Sequence, residues 1–268
     1  MNVATWLAQA QQQLSKISTA RLDALVLLED CSGKDRGWLL AHPEHELSDE
    51  QVAKLKKLLA RRALHEPLAY LRGHTEFYGR DFVISAAVLE PRPESETMID
   101  LLKKLPKLPT KPRIADVGTG SGALGITAAS ELPKATVELL EIDPEALKIA
   151  KRNVDKLSTG ISALPSDLLA GSSQNYDVLL CNLPYVPDDF HINTAALHEP
   201  GLALFGGPDG LDVYRRLFEQ VRDLQKQPLY ILTEALPTQH AALQQIAEAH
   251  GYDLSQTDDF IQVFEHRA

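Results

Sequence analysis

From residue 113 onward, short apolar runs alternate with stretches of helical period. This alternation limits the possible folds of the chain more than any other feature of the sequence. The apolar runs are residues 114–117, 136–142, 176–181 and 229–233, and the helical stretches are 123–131, 144–156, 211–224 and 238–250. Strands that alternate with helices in this way form a parallel sheet with helices on both faces. Residues 252–264 are predicted to close the sheet with a hairpin. The sequence therefore predicts an α/β fold for this part.

The first part of the chain has the period of helices alone. Apolar residues from Val3 to Leu14 recur at helical spacing, and a second helix is predicted over 21–30, with Gly33 just past its end. A third helix begins after Ser48, which has a glutamine three residues on in capping-box order, and is predicted to end at Pro67. This part of the chain shows no pattern of residues typical of a catalytic site.

The change of period divides the chain into three predicted segments. Residues 1–72 form a helical domain, residues 73–96 a β-hairpin and linker, and residues 97–268 the α/β domain. The hairpin is predicted over 77–89, where bulky apolar residues flank turn residues. A stiff, proline-rich link follows over 90–94.

Charge and cysteine content exclude several classes of protein. A net charge of -10 disfavours a protein that grips nucleic acid through its phosphates, so nucleic acid is an unfavoured substrate. Two cysteines cannot make a disulfide framework or a four-cysteine zinc site, and the nine histidines show no ligand spacing, so no metal is expected. The chain has no secretory signal and no run of apolar residues long enough to cross a membrane, which predicts a cytoplasmic protein without a membrane partner.

A glycine-rich loop follows the first strand of the α/β part. Residues Gly118, Thr119, Gly120, Ser121 and Gly122 stand between the strand and the next helix, where open α/β sheets bind ligands. An acid that binds ribose hydroxyls is expected about 20 residues later, and Glu141 ends the next strand. The glycines alone fit a nicotinamide enzyme and a methyltransferase equally well, although Asp116 before them favours the methyltransferase.

The tetrapeptide Asn182-Leu183-Pro184-Tyr185 follows a later apolar strand. A planar, conjugated nitrogen is a poor nucleophile unless fixed acceptors take its N–H hydrogens and aim its lone pair. The Asn182 side chain and the Leu183 backbone each offer a carbonyl, Pro184 stiffens the turn, and Tyr185 offers a flat aromatic face. An ordinary Asn-x-Pro turn is the competing interpretation of this tetrapeptide. Behind a glycine-rich loop and a ribose acid, it favours N-methylation that uses S-adenosyl-L-methionine.

Several further segments, taken together, resemble the HemK/PrmC family of peptide-chain-release-factor glutamine methyltransferases. They are Glu66-Pro67-Leu68-Ala69-Tyr70, Glu76-Phe77-Tyr78-Gly79, Pro91-Arg92-Pro93-Glu94-Ser95-Glu96, Glu199-Pro200 and Gly206-Gly207-Pro208-Asp209-Gly210, beside the loop and the tetrapeptide. The resemblance implies a seven-stranded, Rossmann-like class I methyltransferase domain and a helical domain that engages the release factor. It implies methylation of the glutamine in the factor's Gly-Gly-Gln tripeptide.

The resemblance also assigns roles to single residues. It implies that residues 118–122 bind the methionine part of the cofactor, Glu141 the ribose, and Asp167 and Leu168 the adenine. The tetrapeptide would hold the glutamine, and Phe77 and Arg92 would line the pocket. The chain departs from the family in having Leu183 where a proline is usual, Leu168 where tryptophan is frequent, and Leu236 where glycine is usual.

Two other functions remain open at this point. Asn-Leu-Pro-Tyr is similar to the motif of ribosomal-RNA adenine dimethyltransferases, whose amine poses the same chemical problem. A non-catalytic, cofactor-binding relative would keep the fold, and Leu183 and Leu168 would then be substitutions that accompany the loss of activity. The acidic balance and the flanking segments favour the release factor as the substrate.

Overall fold

The computed structural model describes residues 1–157, 160–172 and 175–267, and the chain forms two compact units. The first unit contains Met1–Gly73 with Asn193–His198, and the second contains His74–Ile192 with Glu199–Ala268. Residue 268, the predicted end of the α/β segment, lies outside the described residues. Among the described residues, no helix combines the length and the apolar character needed to cross a bilayer.

The first unit is helical. Its helices are α1 (Val3–Gln13), α2 (Ala20–Ser32), α3 (Arg36–Ala41), α4 (Asp49–Ala63) and α5 (Leu68–Arg72). Their apolar faces enclose a common core that includes Trp6, Leu28 and Leu55. The capping box at α4 is confirmed, because the side chains of Ser48 and Gln51 each accept the other residue's backbone N–H.

Three details of the helical prediction were wrong: the short helices α3 and α5 were not predicted, and α4 ends earlier than predicted. The short helix α3 was not predicted, because six residues that include Gly37 make too short an apolar stripe to register as a period. The helix α4 ends at Ala63 and not at Pro67. Pro67 instead stands at the N-terminus of α5, where a proline is tolerated because no intrahelical partner awaits its missing N–H.

The hairpin consists of β1 (His74–Phe77) and β2 (Arg80–Val83), paired antiparallel. The prediction of 77–89 was therefore displaced along the chain. The first strand is mostly polar and partly exposed, so it lacks the apolar alternation on which the prediction relied. Phe77 and Phe82 are buried in a core of the second unit.

The second unit is built on a seven-stranded sheet among the described residues, in the order β5-β4-β3-β6-β7-β9-β8. After a 3-10 turn (Pro93–Ser95) and α6 (Glu96–Leu102), its strands are β3 (Arg113–Val117), β4 (Thr136–Glu141), β5 (Ser162–Pro165), β6 (Val178–Cys181), β7 (Tyr230–Glu234), β8 (Tyr252–Asp258) and β9 (Ile261–His266). The first five strands in this order are parallel, and β9 is antiparallel to both of its neighbours.

Helices cover both faces of the sheet. Besides α6, they are α7 (Ala123–Glu131), α8 (Pro144–Leu157), α10 (Asp212–Arg222) and α11 (His240–Ala249), while the short helix α9 (Gly201–Leu204) lies between β6 and α10 in the chain. Successive strand residues enter different cores: Ile114 packs with α7, whereas Ala115 packs with α10. The predicted α/β fold is confirmed, including the closing hairpin β8–β9. The strand β5 was not predicted, because four residues that end in proline give little pattern.

Candidate active site

A cleft lies at the carboxyl ends of β3, β4 and β6, where the strand order reverses. Because β3 has β4 on one side and β6 on the other, the loops that follow these strands diverge and leave a crevice. The predicted site residues that line it are Phe77, Gly118, Thr119, Gly120, Ser121, Glu141, Asp167, Leu168, Asn182, Leu183 and Pro184. Gly122 and Tyr185 are not among the lining residues.

Asp116 organises the glycine-rich loop from beneath. Its carboxylate is buried and accepts hydrogen bonds from the Thr119 hydroxyl and from the Gly125 N–H, the latter at 2.8 Å. Burial raises the pKa of Asp116 to about 6, because a charge is costly away from water. Asp116 therefore ties the end of β3 to the first turn of α7.

The backbone of the loop comes close to its neighbours and to the cleft. Gly118 and Gly120 have φ angles of 67° and 56°, in the left-handed region that favours glycine. A Cβ on Gly118 would lie 2.9 Å from a methyl carbon of Leu183, whereas a Cβ on Gly120 would meet nothing within 4 Å. Gly120 thus presents bare backbone to open space in the cleft, and Gly122 lies at the N-terminus of α7.

Glu141 faces the cleft with its carboxylate already oriented. One oxygen accepts the Gly120 N–H at 2.8 Å, and the other accepts the Asp143 N–H at 3.0 Å. Burial raises the pKa of Glu141, and these backbone donors act in the opposite direction. Each carboxylate oxygen can still accept a further hydrogen bond, so Glu141 can bind two vicinal hydroxyl groups.

Asp167 and Leu168 form another wall of the cleft. The Asp167 carboxylate pairs with Arg216, whose Nη2 lies 2.6 Å from one oxygen. Leu168 has a φ angle of 54°, and its carbonyl accepts the Ser166 hydroxyl at 2.6 Å. This held turn places an apolar side chain, only 7% exposed, beside a charged pair. Such a wall suits a flat, partly polar ring.

Asn182 has a defined amide orientation at the end of β6. Its Nδ2 donates to the Ser95 hydroxyl oxygen at 3.0 Å. Two carbonyls of the same turn are occupied, because Tyr214 donates to the Cys181 oxygen at 2.9 Å and Gln239 to the Tyr185 oxygen at 2.7 Å. Within the described residues, no hydrogen bond uses Asn182 Oδ1 or the Leu183 carbonyl. Both predicted acceptors therefore remain available.

Tyr185 and Arg92 differ from what the sequence implied. The Tyr185 hydroxyl donates to Glu234 at 3.1 Å, so its polar end is committed to a neighbouring side chain. Arg92 does not line the cleft, because its guanidinium pairs with the buried Glu199 carboxylate at 2.6 Å. Its neighbour Pro91 lines the cleft in its place.

Sequence reasoning missed Ser95 and Glu234. Ser95 lines the cleft, and Glu234 is linked to Asn182 through it. Glu234 ends β7, so the strand-end rule that selected Glu141 would also have selected Glu234. Cys181 is buried within β6. In the part of the chain that the structure describes, no cluster of three or more histidine, cysteine, aspartate or glutamate residues could bind a metal ion.

Comparison with known proteins gives two family matches. The family described as the PrmC N-terminal domain matches residues 5–73, and the methyltransferase small domain matches residues 95–199. The first match covers the helical unit, and the second covers the loop, Glu141 and the tetrapeptide at Asn182.

Individual proteins agree with these matches. The release factor glutamine methyltransferase of Koribacter versatilis is 39% identical over 219 residues, which cover 80% of this chain and 78% of that protein. The protein of the same name from Escherichia coli K12 is 34% identical over 252 residues, covering 92% and 90%. Among solved structures, a methyltransferase from Pyrococcus furiosus has a TM-score of 0.54 at 17% identity, covering 82% of this chain and 100% of its own. That structure shows the fold alone.

Proposed function

We propose that this chain, which belongs to the family of release factor glutamine methyltransferases, methylates the glutamine of the Gly-Gly-Gln motif in a peptide chain release factor. The methyl group would pass from S-adenosyl-L-methionine to the side-chain amide nitrogen. One observation carries the proposal: Asn182 lines the same cleft as Glu141, with its amide nitrogen bonded to Ser95 and its oxygen unbonded among the described residues.

The residues of the cleft fit the cofactor. Glu141 would accept the two ribose hydroxyls, since its oriented carboxylate keeps further acceptor capacity. The loop from Gly118 to Gly122 would hold the methionine part, where bare backbone at Gly120 leaves space. Asp167 and Leu168 would contact the adenine, and Phe77 would close the cleft on its apolar side. The bound cofactor supplies an electrophilic methyl group on a sulfonium.

The substrate amide would be held by two acceptors of this chain. Asn182 Oδ1 and the Leu183 carbonyl would each accept one N–H hydrogen of the glutamine, which fixes the plane of the amide. The nitrogen lone pair would then point along one direction, and alignment of this kind removes much of the entropic barrier. Pro184 would limit movement of the turn, and Tyr185, which does not line the cleft, would hold the turn through its hydrogen bond to Glu234.

The helical residues 1–72 are proposed to engage the release factor. The match of residues 5–73 to the PrmC N-terminal domain supports this division of labour, with residues 73–96 as hairpin and linker and 97–268 as the catalytic part. A cytoplasmic location is proposed as well, because release factors act in translation.

The alternative reaction is methylation of an adenine in ribosomal RNA. The net charge of -10 and the relatives' similarity over 92% of the chain favour the release factor. Both reactions would use the same acceptors, so the substrate itself must be tested.

The decisive experiment incubates the full chain with labelled S-adenosyl-L-methionine and a purified release factor. Mass spectrometry of the proteolysed factor should locate one added methyl on the glutamine of the Gly-Gly-Gln peptide. A factor with that glutamine changed to alanine is the matched control and should remain unlabelled. Label in ribosomal RNA instead would favour the alternative, and cofactor binding in calorimetry without methyl transfer to either substrate would favour the non-catalytic relative.

A further inference from the structure

A buried carboxylate at the end of β7 is linked to Asn182 through a serine. Glu234 is 1% exposed, and its two oxygens accept the Ser95 hydroxyl at 2.6 Å and the Tyr185 hydroxyl at 3.1 Å. The Ser95 oxygen in turn accepts the Asn182 Nδ2 at 3.0 Å. A chain of hydrogen bonds therefore runs from the cleft into the protein, ending on a group that water barely reaches.

The direction of each hydrogen bond in this chain follows from the carboxylate. An ionised carboxylate can only accept, whereas a serine hydroxyl donates one hydrogen and accepts others. Because Ser95 must give its single hydrogen to Glu234, its oxygen can only accept from Asn182. Asn182 must then present its NH2 group to Ser95, and its carbonyl oxygen is left for the cleft.

The Glu234 carboxylate is held by neutral groups and not by a cation. Among the described residues it forms no salt bridge, and the two donors to its side chain are the hydroxyls of Ser95 and Tyr185. Burial raises its pKa and the nearby Glu94 adds to that effect, while the Ser95 and Tyr185 hydroxyls, together with the Asn182 NH2 group close by, lower it. The Tyr214 hydroxyl also lies 2.6 Å from the Glu234 backbone oxygen, so its single hydrogen is shared between that oxygen and the Cys181 oxygen.

We propose that Glu234 is a positioning residue that sets the direction of the Asn182 amide through Ser95. The carbonyl of Asn182, and not its NH2 group, then meets the N–H hydrogens of the substrate amide. If the Asn182 amide were reversed, its NH2 group would face the N–H hydrogens of the substrate amide. Two donors would then meet, and the substrate nitrogen would be misaligned. The consequence for catalysis rests on the proposed function, whereas the direction of the Asn182 amide can be measured on the protein without a substrate.

The variant Glu234→Gln tests the proposal with little change of shape. The new NH2 group can donate to Ser95, so Ser95 can donate to Asn182 Oδ1 and the Asn182 amide can turn around. We expect kcat for release-factor methylation to fall about 10- to 100-fold, while the dissociation constant for S-adenosyl-L-methionine changes less than about threefold. Ser95→Ala cuts the same chain at its middle and should lower kcat to a similar extent.

The matched control is Glu138→Gln. Glu138 also accepts a tyrosine hydroxyl, that of Tyr176 at 2.6 Å, but it does not line the cleft. Loss of a carboxylate–tyrosine hydrogen bond as such should therefore leave kcat unchanged. A fall in kcat equal to that of Glu234→Gln would show a general effect of stability and overturn the positioning role.

Nuclear magnetic resonance reads the amide direction without any turnover. In protein labelled with 15N-asparagine, the Asn182 NH2 protons should show nuclear Overhauser effects to the Ser95 β-protons, and these should disappear in Glu234→Gln. Unchanged contacts in the variant would overturn the proposal, even if methylation of the release factor is observed. If wild-type protein shows no methylation but the contacts depend on Glu234, the proposed function fails and the positioning role stands.

Discussion

The carboxylate of Glu141 lies 2.8 Å from the backbone nitrogen of Gly120 and accepts its N–H. The acid at the end of β4 is thereby joined to the loop that follows β3. Because both groups line the cleft, the carboxylate proposed to bind the ribose and the glycine-rich loop are positioned together.

The variant Glu141→Gln should weaken cofactor binding. The amide of glutamine can replace one acceptor oxygen but presents N–H donors where Gly120 or Asp143 also donates. Loss of charged hydrogen bonds costs about 1.5–3 kcal/mol each, so the dissociation constant for S-adenosyl-L-methionine should rise about 10- to 100-fold in titration calorimetry. Glu145→Gln, on the exposed start of α8, is the control and should bind normally.

The variants Gly120→Ala and Gly125→Ala should differ in whether cofactor affinity or stability falls more. Gly120→Ala would meet no atom within 4 Å but has a φ angle of 56°, so it should lose about 1–2 kcal/mol of stability and also obstruct the cleft. Gly125→Ala would place a Cβ 2.2 Å from a Leu139 methyl carbon, within a packed core. We expect Gly120→Ala to lose cofactor affinity in calorimetry more than stability in urea unfolding. Gly125→Ala should lose more stability than cofactor affinity. Equal losses of cofactor affinity in the two variants would contradict these different roles.

The sequence predicted those parts of the site that stand at the ends of strongly patterned strands. The loop from Gly118, the acid Glu141 and the tetrapeptide at Asn182 each follow an apolar run, so the rule for parallel sheets placed them at one edge. The helices α7 and α8 were found with nearly correct bounds, because their periods are long and clear. Short elements such as α3 and β5 escaped, since a few residues cannot display a period.

The hydrogen bonds behind the site could not be predicted in the same way. Ser95 and Glu234 are 139 residues apart, and their contact depends on how α6 packs beside β7. No local pattern encodes such a distance. The same holds for Arg92, which pairs with Glu199, 107 residues away.

Asp116 should make the stability of the protein depend on pH. Its pKa is about 6 in the folded protein and near the ordinary 3.8 in the unfolded chain. The folded state therefore holds the proton more tightly, and the stability this gives is complete below about pH 4 and is lost as the pH rises through 6. With about 1.4 kcal/mol for each unit of pKa, the loss amounts to ~3 kcal/mol.

Urea unfolding of Asp116→Asn beside the wild type at pH 4 and pH 7.5 measures this effect. The asparagine does not titrate, so the wild type should lose ~2.5 kcal/mol relative to the variant between these two values of pH. Asp209→Asn is the control with the opposite sign, since Arg215 lowers the Asp209 pKa to about 2. Its difference from the wild type should stay constant above pH 4.5. A constant difference for Asp116→Asn as well would contradict the raised pKa.

Leu183→Ala separates the backbone of the tetrapeptide from its side chain. Leu183 is 2% exposed, and its methyl carbon occupies the space beside Gly118. Truncation should leave a cavity and lower the free energy of unfolding by about 2–4 kcal/mol. The backbone carbonyl, which is the proposed acceptor, remains, so kcat measured well below the unfolding temperature should fall less than about 10-fold.

Asn182→Ala provides the contrast, because there the proposed acceptor is the side chain itself. It should lower kcat by about 100-fold or more, as loss of a positioned polar group in other active sites does, with a smaller change in stability. If the leucine variant were inactive although folded, or if the asparagine variant kept most of its turnover, the two carbonyls would not be the groups that hold the substrate amide. The Leu183 side chain would then affect the chemistry as well as the packing.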